Sequence, residues 1–306
     1  MNILLAGSSG QLGQELLPFL EQLGRVTMVD RTALPGAGST IQQDLGELNR
    51  VEILLNRIRP DVIVNAAAYT AVDHAEDDRD TAFRINADLP GCLARWSARN
   101  NRLLVHYSTD YVFSGGADRP YVEDDPTGPL GVYGESKLAG EQAIAKACSQ
   151  YVILRTSWVY SSLGNNFLLT MLRLARERPS LSIVSDQVGC PTWARNLASV
   201  TQKVIRQVSS AEAGTGPLGI YHYCDGDVVS WYDFARAIFT AGKQAGLLQK
   251  LPEMTAIRSE NFPQKAKRPL YSVLSTEKIR KVFGIEQAGL EQALKSCLGE
   301  MPNDEQ

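Results

Sequence analysis

The feature that most restricts this chain lies at its start, where the apolar run Ile3–Ala6 gives way to Gly7-Ser-Ser-Gly10-Gln-Leu-Gly13. Glycines allow a sharp turn and a close backbone approach to a ligand. A helix beginning there aims free N–H groups and a partial positive charge at that ligand. Strand, glycine turn and helix in that order form the opening unit of a dinucleotide-binding sheet. The spacing is G-x-x-G-x-x-G rather than G-x-G-x-x-G. With 25 glycines in the chain, its place directly after the first strand gives it weight, not the bare pattern.

The next 150 residues keep that rhythm. Arg25–Val29, Val62–Asn65, Leu103–Tyr107 and Val152–Leu154 are short, apolar and rich in Val, Ile and Leu, as strands buried on both faces are. Between them, Gly13–Leu23, Leu48–Arg59, Thr81–Arg99 and Tyr133–Ala147 read as helices. In the second, Val51, Leu54, Leu55 and Ile58 mark one buried face. The expected class is α/β: a Rossmann-type doubly wound parallel sheet over residues 1–160. A smaller mixed C-terminal substrate-binding domain is expected over 161–306, with segments free to interleave with the first. There the alternation fades. Asn166–Arg178, Ser230–Ala245 and Ser275–Val282 read as helices, 209–216 as a loop and 303–306 as a polar tail.

Charge narrows the partners. Lys+Arg total 31 against 34 for Asp+Glu, so no basic excess points to nucleic acid. No run of 18 apolar residues points to a membrane. Met1–Gly7 lacks the basic region of a signal peptide, and a cytoplasmic protein is expected. The five scattered cysteines fit reduced, packed thiols, and His74, His106 and His222 show no metal spacing, so no metal is expected.

Several residues suit a dinucleotide. Asp30, twenty residues past Gly10, can bond an adenosine ribose and favour NAD; Arg31 can pair with a 2′-phosphate and favour NADP. A plain polar strand end is the alternative for both. Asp44-Leu45 is a weaker candidate for contacting adenine. Asn65-Ala-Ala-Ala68-Tyr69-Thr70 leaves its strand through small side chains, which admit a cofactor or serve tight helix–sheet packing.

Tyr133 and Lys137 stand one helical turn apart, so the cation can favour phenolate and make the phenol a proton exchanger. Ser108-Thr109-Asp110-Tyr111-Val112-Phe113 follows the strand Leu103–Tyr107, at the end of the sheet where ligands bind. A hydroxyl there can hold a substrate oxygen or merely cap a turn. Further on, Trp158 can stack on a sugar or base, or sit half-buried in the core. Asn165 and Asn166 can bind hydroxyls or cap the next helix. Lys265-Ala-Lys267-Arg268 suits a diphosphate, or forms a solvated loop.

These motifs together resemble the extended short-chain dehydrogenases/reductases, and more narrowly the dTDP-4-dehydrorhamnose reductase family. The resemblance rests on Asn65–Asp73, His106–Phe113, Val132–Glu141, Arg155–Tyr160, Gly164–Phe167 and Lys267–Leu274, which span most of the chain. It implies that Thr109, Tyr133 and Lys137 form a catalytic triad. NADPH or NADH would then deliver hydride to the 4-keto carbon of dTDP-4-dehydro-6-deoxy-L-mannose, giving dTDP-L-rhamnose. It assigns Asp110 and Trp158 to the substrate, with Arg268 supported by the match around it. Gly10, Gln11, Leu12, Asp30, Asp44, Leu45, Ala68, Tyr69, Thr70 and Tyr107 fall to the cofactor.

Tyr111 stands where related sugar-nucleotide dehydratases carry a glutamate that removes a proton, so simple reduction is preferred. Magnesium accompanies some relatives; here Glu15 is an available carboxylate, but Arg195 stands where another acidic ligand would be sought. A homodimer is expected by analogy with the superfamily. Two alternatives stay open: a cofactor-binding regulatory subunit like the β subunit of methionine adenosyltransferase, or a reductase or epimerase of another nucleotide sugar.

Overall fold

The computed structural model describes residues 1–32, 40–211 and 216–301. Part of the predicted loop 209–216 and the tail 303–306 lie outside them. The chain begins β1 (Asn2–Ala6), α1 (Gln11–Glu21), β2 (Arg25–Asp30), β3 (Ile41–Gln42), α2 (Leu48–Ile58) and β4 (Val62–Asn65). Short helices α3 (Val72–Ala75) and α4 (Arg79–Phe83) lead through a π-helical turn, Arg84–Asp88, into α5 (Leu89–Asn100). Then come β5 (Leu103–Thr109), α6 (Val132–Ala147) and β6 (Tyr151–Thr156).

A seven-stranded sheet forms from β1–β6 and one later strand, β11 (Gly219–His222), in the order β11-β6-β5-β4-β1-β2-β3, with every pairing parallel. Both faces are buried, as the unbroken apolar runs require. Ile3 and Leu5 pack with Leu16 and Leu20 of α1 on one face; Leu4 and Ala6 pack with Leu55 of α2 and Leu93 of α5 on the other. Truncating such a residue, Leu5→Ala for instance, costs about 2–5 kcal/mol. Because β1 has β2 on one side and β4 on the other, the helices that follow β1 and β4 leave to opposite faces. That opens a crevice at the strands' C-terminal ends.

Two stretches beyond residue 160 belong to this layer. One is β11; the other is α8 (Ala194–Ser210), which lays Leu197, Val204 and Ile205 into the core beside α1. Before α8 and after β11 runs the second layer. Its elements are β7 (Val159–Tyr160), α7 (Phe167–Glu177), β8 (Ser180–Val184), β9 (Val188–Gly189), β10 (Thr192–Trp193), β12 (Val229–Ser230), α9 (Trp231–Gln244), β13 (Glu253–Ile257), α10 (Glu277–Phe283) and α11 (Leu290–Leu298). Phe234, Ile238, Leu172 and Leu294 form its centre, while Ile279 and Phe283 of α10 return to the first core.

The helix expected over 81–99 forms as one unbroken helical run, Arg79–Asn100, with a π-helical turn inside it. The π-helical turn rotates Asn86 inward until it is fully buried, with its amide bonded to Tyr69 and Ser136. Gly140 of α6 makes room, since a Cβ there would stand 2.1 Å from the Asn86 carbonyl oxygen. No helix among the described residues is long and apolar enough to cross a membrane.

Candidate active site

The three glycines divide their work. Gly7 has φ +79°, and a Cβ on it would lie 2.4 Å from the Ala67 nitrogen; one on Gly13 would lie 2.1 Å from the Gly7 oxygen. Both are demanded by the protein's own packing. Gly10 is different: its Cβ would meet only the Gly7 oxygen, at an ordinary 3.5 Å, and it opens on a cleft of about 660 Å³. Gly10 is also the N-cap of α1 and brings no side chain to cap it, so the helix's first N–H groups and its positive end face the cleft.

Asp30, Arg31, Asp44, Leu45, Ala68 and Tyr69 line that cleft. Asp30 Oδ2 accepts the Ser9 N–H at 2.8 Å and Oδ1 that of Arg31 at 2.7 Å, so the carboxylate also braces the glycine turn. Asp44 Oδ1 likewise accepts the Gly46 N–H at 2.8 Å. Tyr69 is clamped at both backbone groups by Asn86, at 2.9 and 3.0 Å, with Thr70 exposed beyond it. Gln11 bonds the Val159 carbonyl, tying the turn to the second layer, and Leu12 packs against the first core. An open glycine face at an uncapped helix end, beside a groove walled by alanines, fits a dinucleotide.

Next to it, β5 ends at Thr109, whose hydroxyl donates to Asp110 Oδ1 at 3.0 Å and accepts the Tyr111 N–H at 3.1 Å. α6 is anchored where Glu76 accepts the Val132 N–H at 2.9 Å, and it carries Tyr133 and Lys137 on consecutive turns. Burial pushes the Tyr133 phenol up to about 12, against its hydrogen bond with Thr109 and with some help from Asp110. Its ring meets that of Tyr111 edge to face at 5.7 Å. Burial raises Asp110 to about 7, opposed by the hydroxyls of Ser272 and Thr109. The same cause lowers Lys137 to about 8, opposed by Glu141.

Lys137 Nζ donates to the Tyr107 carbonyl at 2.6 Å and lies 3.5 Å from His106 Nε2. The sequence reading has the lysine drawing Tyr133 toward phenolate. In the fold, burial outweighs any such pull, and Tyr133 stays a protonated phenol at neutral pH. Tyr107 offers only its carbonyl here, because its hydroxyl turns into the core to meet Thr201 at 2.8 Å.

The substrate candidates lie on the adjoining side. Trp158, at φ +48°, stacks on Trp231 with ring centroids 3.5 Å apart, and glycine at 189 leaves room for its indole. Asn166 caps α7 by accepting the Leu169 N–H, and its amide nitrogen bonds Gln11 on the glycine turn; Asn165 precedes it at the surface. Arg268 pairs with Asp73 at 2.8 Å and lines an apolar cavity of about 340 Å³ with Phe167, Val184 and Trp231. Burial pushes the Asp73 carboxyl up, but the Ala266 N–H, Arg268 and the Lys265 N–H together hold it below its usual range. Lys265 is paired with Asp77, while Lys267 is exposed.

Sequence reasoning passed over Asn86, Glu76 and the Asn65–His106 pair, which hold the cleft wall, the start of α6 and the lysine. The available signal was a polar residue at an otherwise buried position, as at Asn86 in the helical run 81–99.

Magnesium does not fit the residues near Glu15. One of its oxygens accepts the Ser161 hydroxyl at 2.6 Å and the other Arg195 Nε at 2.8 Å, while Arg195 also pairs with Glu300. A guanidinium already balances these carboxylates. Among the described residues, no group of three or more His, Cys, Asp or Glu could hold a metal.

Residues 1–303 match the family described as RmlD substrate binding domain. The dTDP-4-dehydrorhamnose reductase of Salmonella typhimurium is 41% identical over 302 residues, covering 98% of each chain. That of Burkholderia thailandensis is 40% identical over 304 residues, covering 98% of this chain and 99% of its own. A crystal structure of the Bacillus anthracis dTDP-4-dehydrorhamnose reductase, solved in complex with NADP, superposes with a TM-score of 0.87 at 33% identity. It covers 98% of this chain and 99% of that one.

Proposed function

The chain belongs to the RmlD substrate-binding-domain family, and from that premise we propose that it is an NAD(P)H-dependent reductase. It converts dTDP-4-dehydro-6-deoxy-L-mannose to dTDP-L-rhamnose, in the cytoplasm. What supports this reading is the hydrogen bond between Thr109, at the C-terminal end of β5, and Tyr133 of α6, in a chain about 40% identical to such reductases over its whole length.

When bound, NADPH or NADH supplies the hydride for C4 of the sugar. The cleft holds the adenosine half against Asp30, Arg31 and Leu45, and the pyrophosphate against Gly10 and the start of α1. Tyr133, kept protonated by burial, gives its proton to the C4 oxygen as the carbonyl becomes an alkoxide. Thr109 turns its hydroxyl from Asp110 to donate a hydrogen bond to the same oxygen, and Tyr133 later regains a proton from solvent. Lys137 holds the nicotinamide ribose hydroxyls. Arg268 meets the diphosphate, and Trp158 with Asp110 borders the sugar.

The test follows reduced-nicotinamide absorbance with purified protein, NADPH and enzymatically prepared keto-sugar, wild type beside Tyr133→Phe. Wild type should oxidise NADPH and form dTDP-L-rhamnose, with the variant slower by about 10²–10⁴-fold. Tight NADPH binding without oxidation would overturn the reading, in favour of another keto-sugar or a regulatory cofactor-binding subunit.

A further inference from the structure

Behind the triad lies a second set of polar groups with no solvent access. Asn65 ends β4 and His106 lies opposite it on β5, in register, at 1% and 0% exposure. Asn65 Oδ1 accepts the Ala67 N–H at 3.3 Å, so its amide nitrogen is the end that faces His106 Nδ1, at 3.1 Å. Turning the amide over would set two donors against each other at Ala67. Nδ1 of His106 must therefore accept, and the proton of the neutral ring sits on Nε2. That nitrogen is the one 3.5 Å from Lys137 Nζ.

We infer that His106 is a positioning residue for Lys137: Asn65 and Ala67 hold it as the Nε2–H tautomer, so it meets the lysine with a donor and favours the neutral amine. An ammonium has three donors and no acceptor, so it cannot bond to Nε2–H; an amine has the lone pair that can. The ring does not escape by gaining a second proton, because burial and Lys137 both oppose the imidazolium. The Tyr107 carbonyl accepts from either form of the lysine. Glu141, one turn further along α6, pulls the other way, but its two oxygens are engaged by Arg155 of β6 at 2.9 and 2.7 Å. Asp110 lies beyond Thr109 at the end of β5 and acts on Tyr133 rather than on Lys137. The lysine's charge is thus set between one shared carboxylate and one fixed N–H.

The role rests on the reading of Lys137 as the ribose-holding lysine, so two measurements separate the claims. Nitrogen-15 NMR of histidine-labelled protein needs no substrate. His222 donates from Nδ1 to the Tyr121 carbonyl at 3.1 Å, so the two buried histidines should show opposite tautomers, His106 as Nε2–H. A His106 signal of the Nδ1–H or doubly protonated form would overturn the inference. The second measurement is the pH profile of kcat/KM for His106→Gln, whose amide oxygen can turn to the lysine. Its alkaline limb should move up by roughly one pH unit. An unchanged limb in a folded variant would overturn the inference; if the variant does not fold, the wild-type tautomer decides it.

Discussion

The carboxylate of Glu15, on the first helix, and the guanidinium of Arg195, at the start of α8, lie 2.8 Å apart. Glu15 is 1% exposed and its remaining partner is the Ser161 hydroxyl. Chelation with EDTA should therefore leave the melting temperature unchanged. Arg195→Met, by contrast, strands a buried carboxylate. Because the arginine side chain is 38% exposed, the loss is discounted to about 1–3 kcal/mol, below the usual figure for breaking a buried pair. A melting temperature that falls with EDTA and recovers with magnesium would count against this account.

The glycine turn separates folding from binding. Gly13→Ala puts a methyl group 2.1 Å from a backbone oxygen and should cost more than about 2 kcal/mol. Gly10 sits at φ −69° with space around it, so Gly10→Ala should melt within about 1 kcal/mol of wild type yet bind NADPH at least about tenfold more weakly. Thermal melts paired with NADPH fluorescence titration check both.

Lys137 titrates near 8 in the fold rather than at its ordinary 10.5. Between those values the unfolded chain binds a proton that the folded chain has released, so this group adds stability as pH rises through that window. Below about 8 the fold carries a buried ammonium at a cost. Lys137→Met should raise the melting temperature at pH 7, and the gain should shrink toward pH 10.5, while turnover collapses. A gain independent of pH would show that packing, not charge, was responsible.

Cofactor choice should turn on Arg31. Both oxygens of Asp30 already hold backbone N–H groups, and Arg31 stands exposed on the same wall. Arg31→Ala is expected to raise KM for NADPH by about tenfold and leave that for NADH within about twofold, the difference one phosphate contact makes. Equal effects on both cofactors would reduce Arg31 to a polar strand end.

The first five long strands were legible to within about two residues because burial on both faces leaves an unmistakable apolar run. Helix α8 was not. From Val200 onward its buried face is Val200, Thr201, Val204, Ile205 and Val208, β-branched residues with weak helix preference of their own. β11 is four residues long, too short to show a period. At the site, Thr109, Tyr133 and Lys137 could be read as motifs because they lie within local runs. The Asn65–His106 pair could not, since it exists only through strand register between residues 41 apart.

That last strand also sets an order of events during synthesis. β6 pairs with β11 residue by residue, Val152 opposite Gly219 through Arg155 opposite His222. A nascent chain that has emerged only as far as β6 holds most of its cofactor cleft but shows an open strand edge, a template for pairing with another copy. The edge closes some sixty residues later, after the polypeptide has built part of the other layer and returned. Expression of the first 160 residues alone should accordingly give an aggregating fragment, and ribosome-bound intermediates of that length should be the ones most dependent on chaperones.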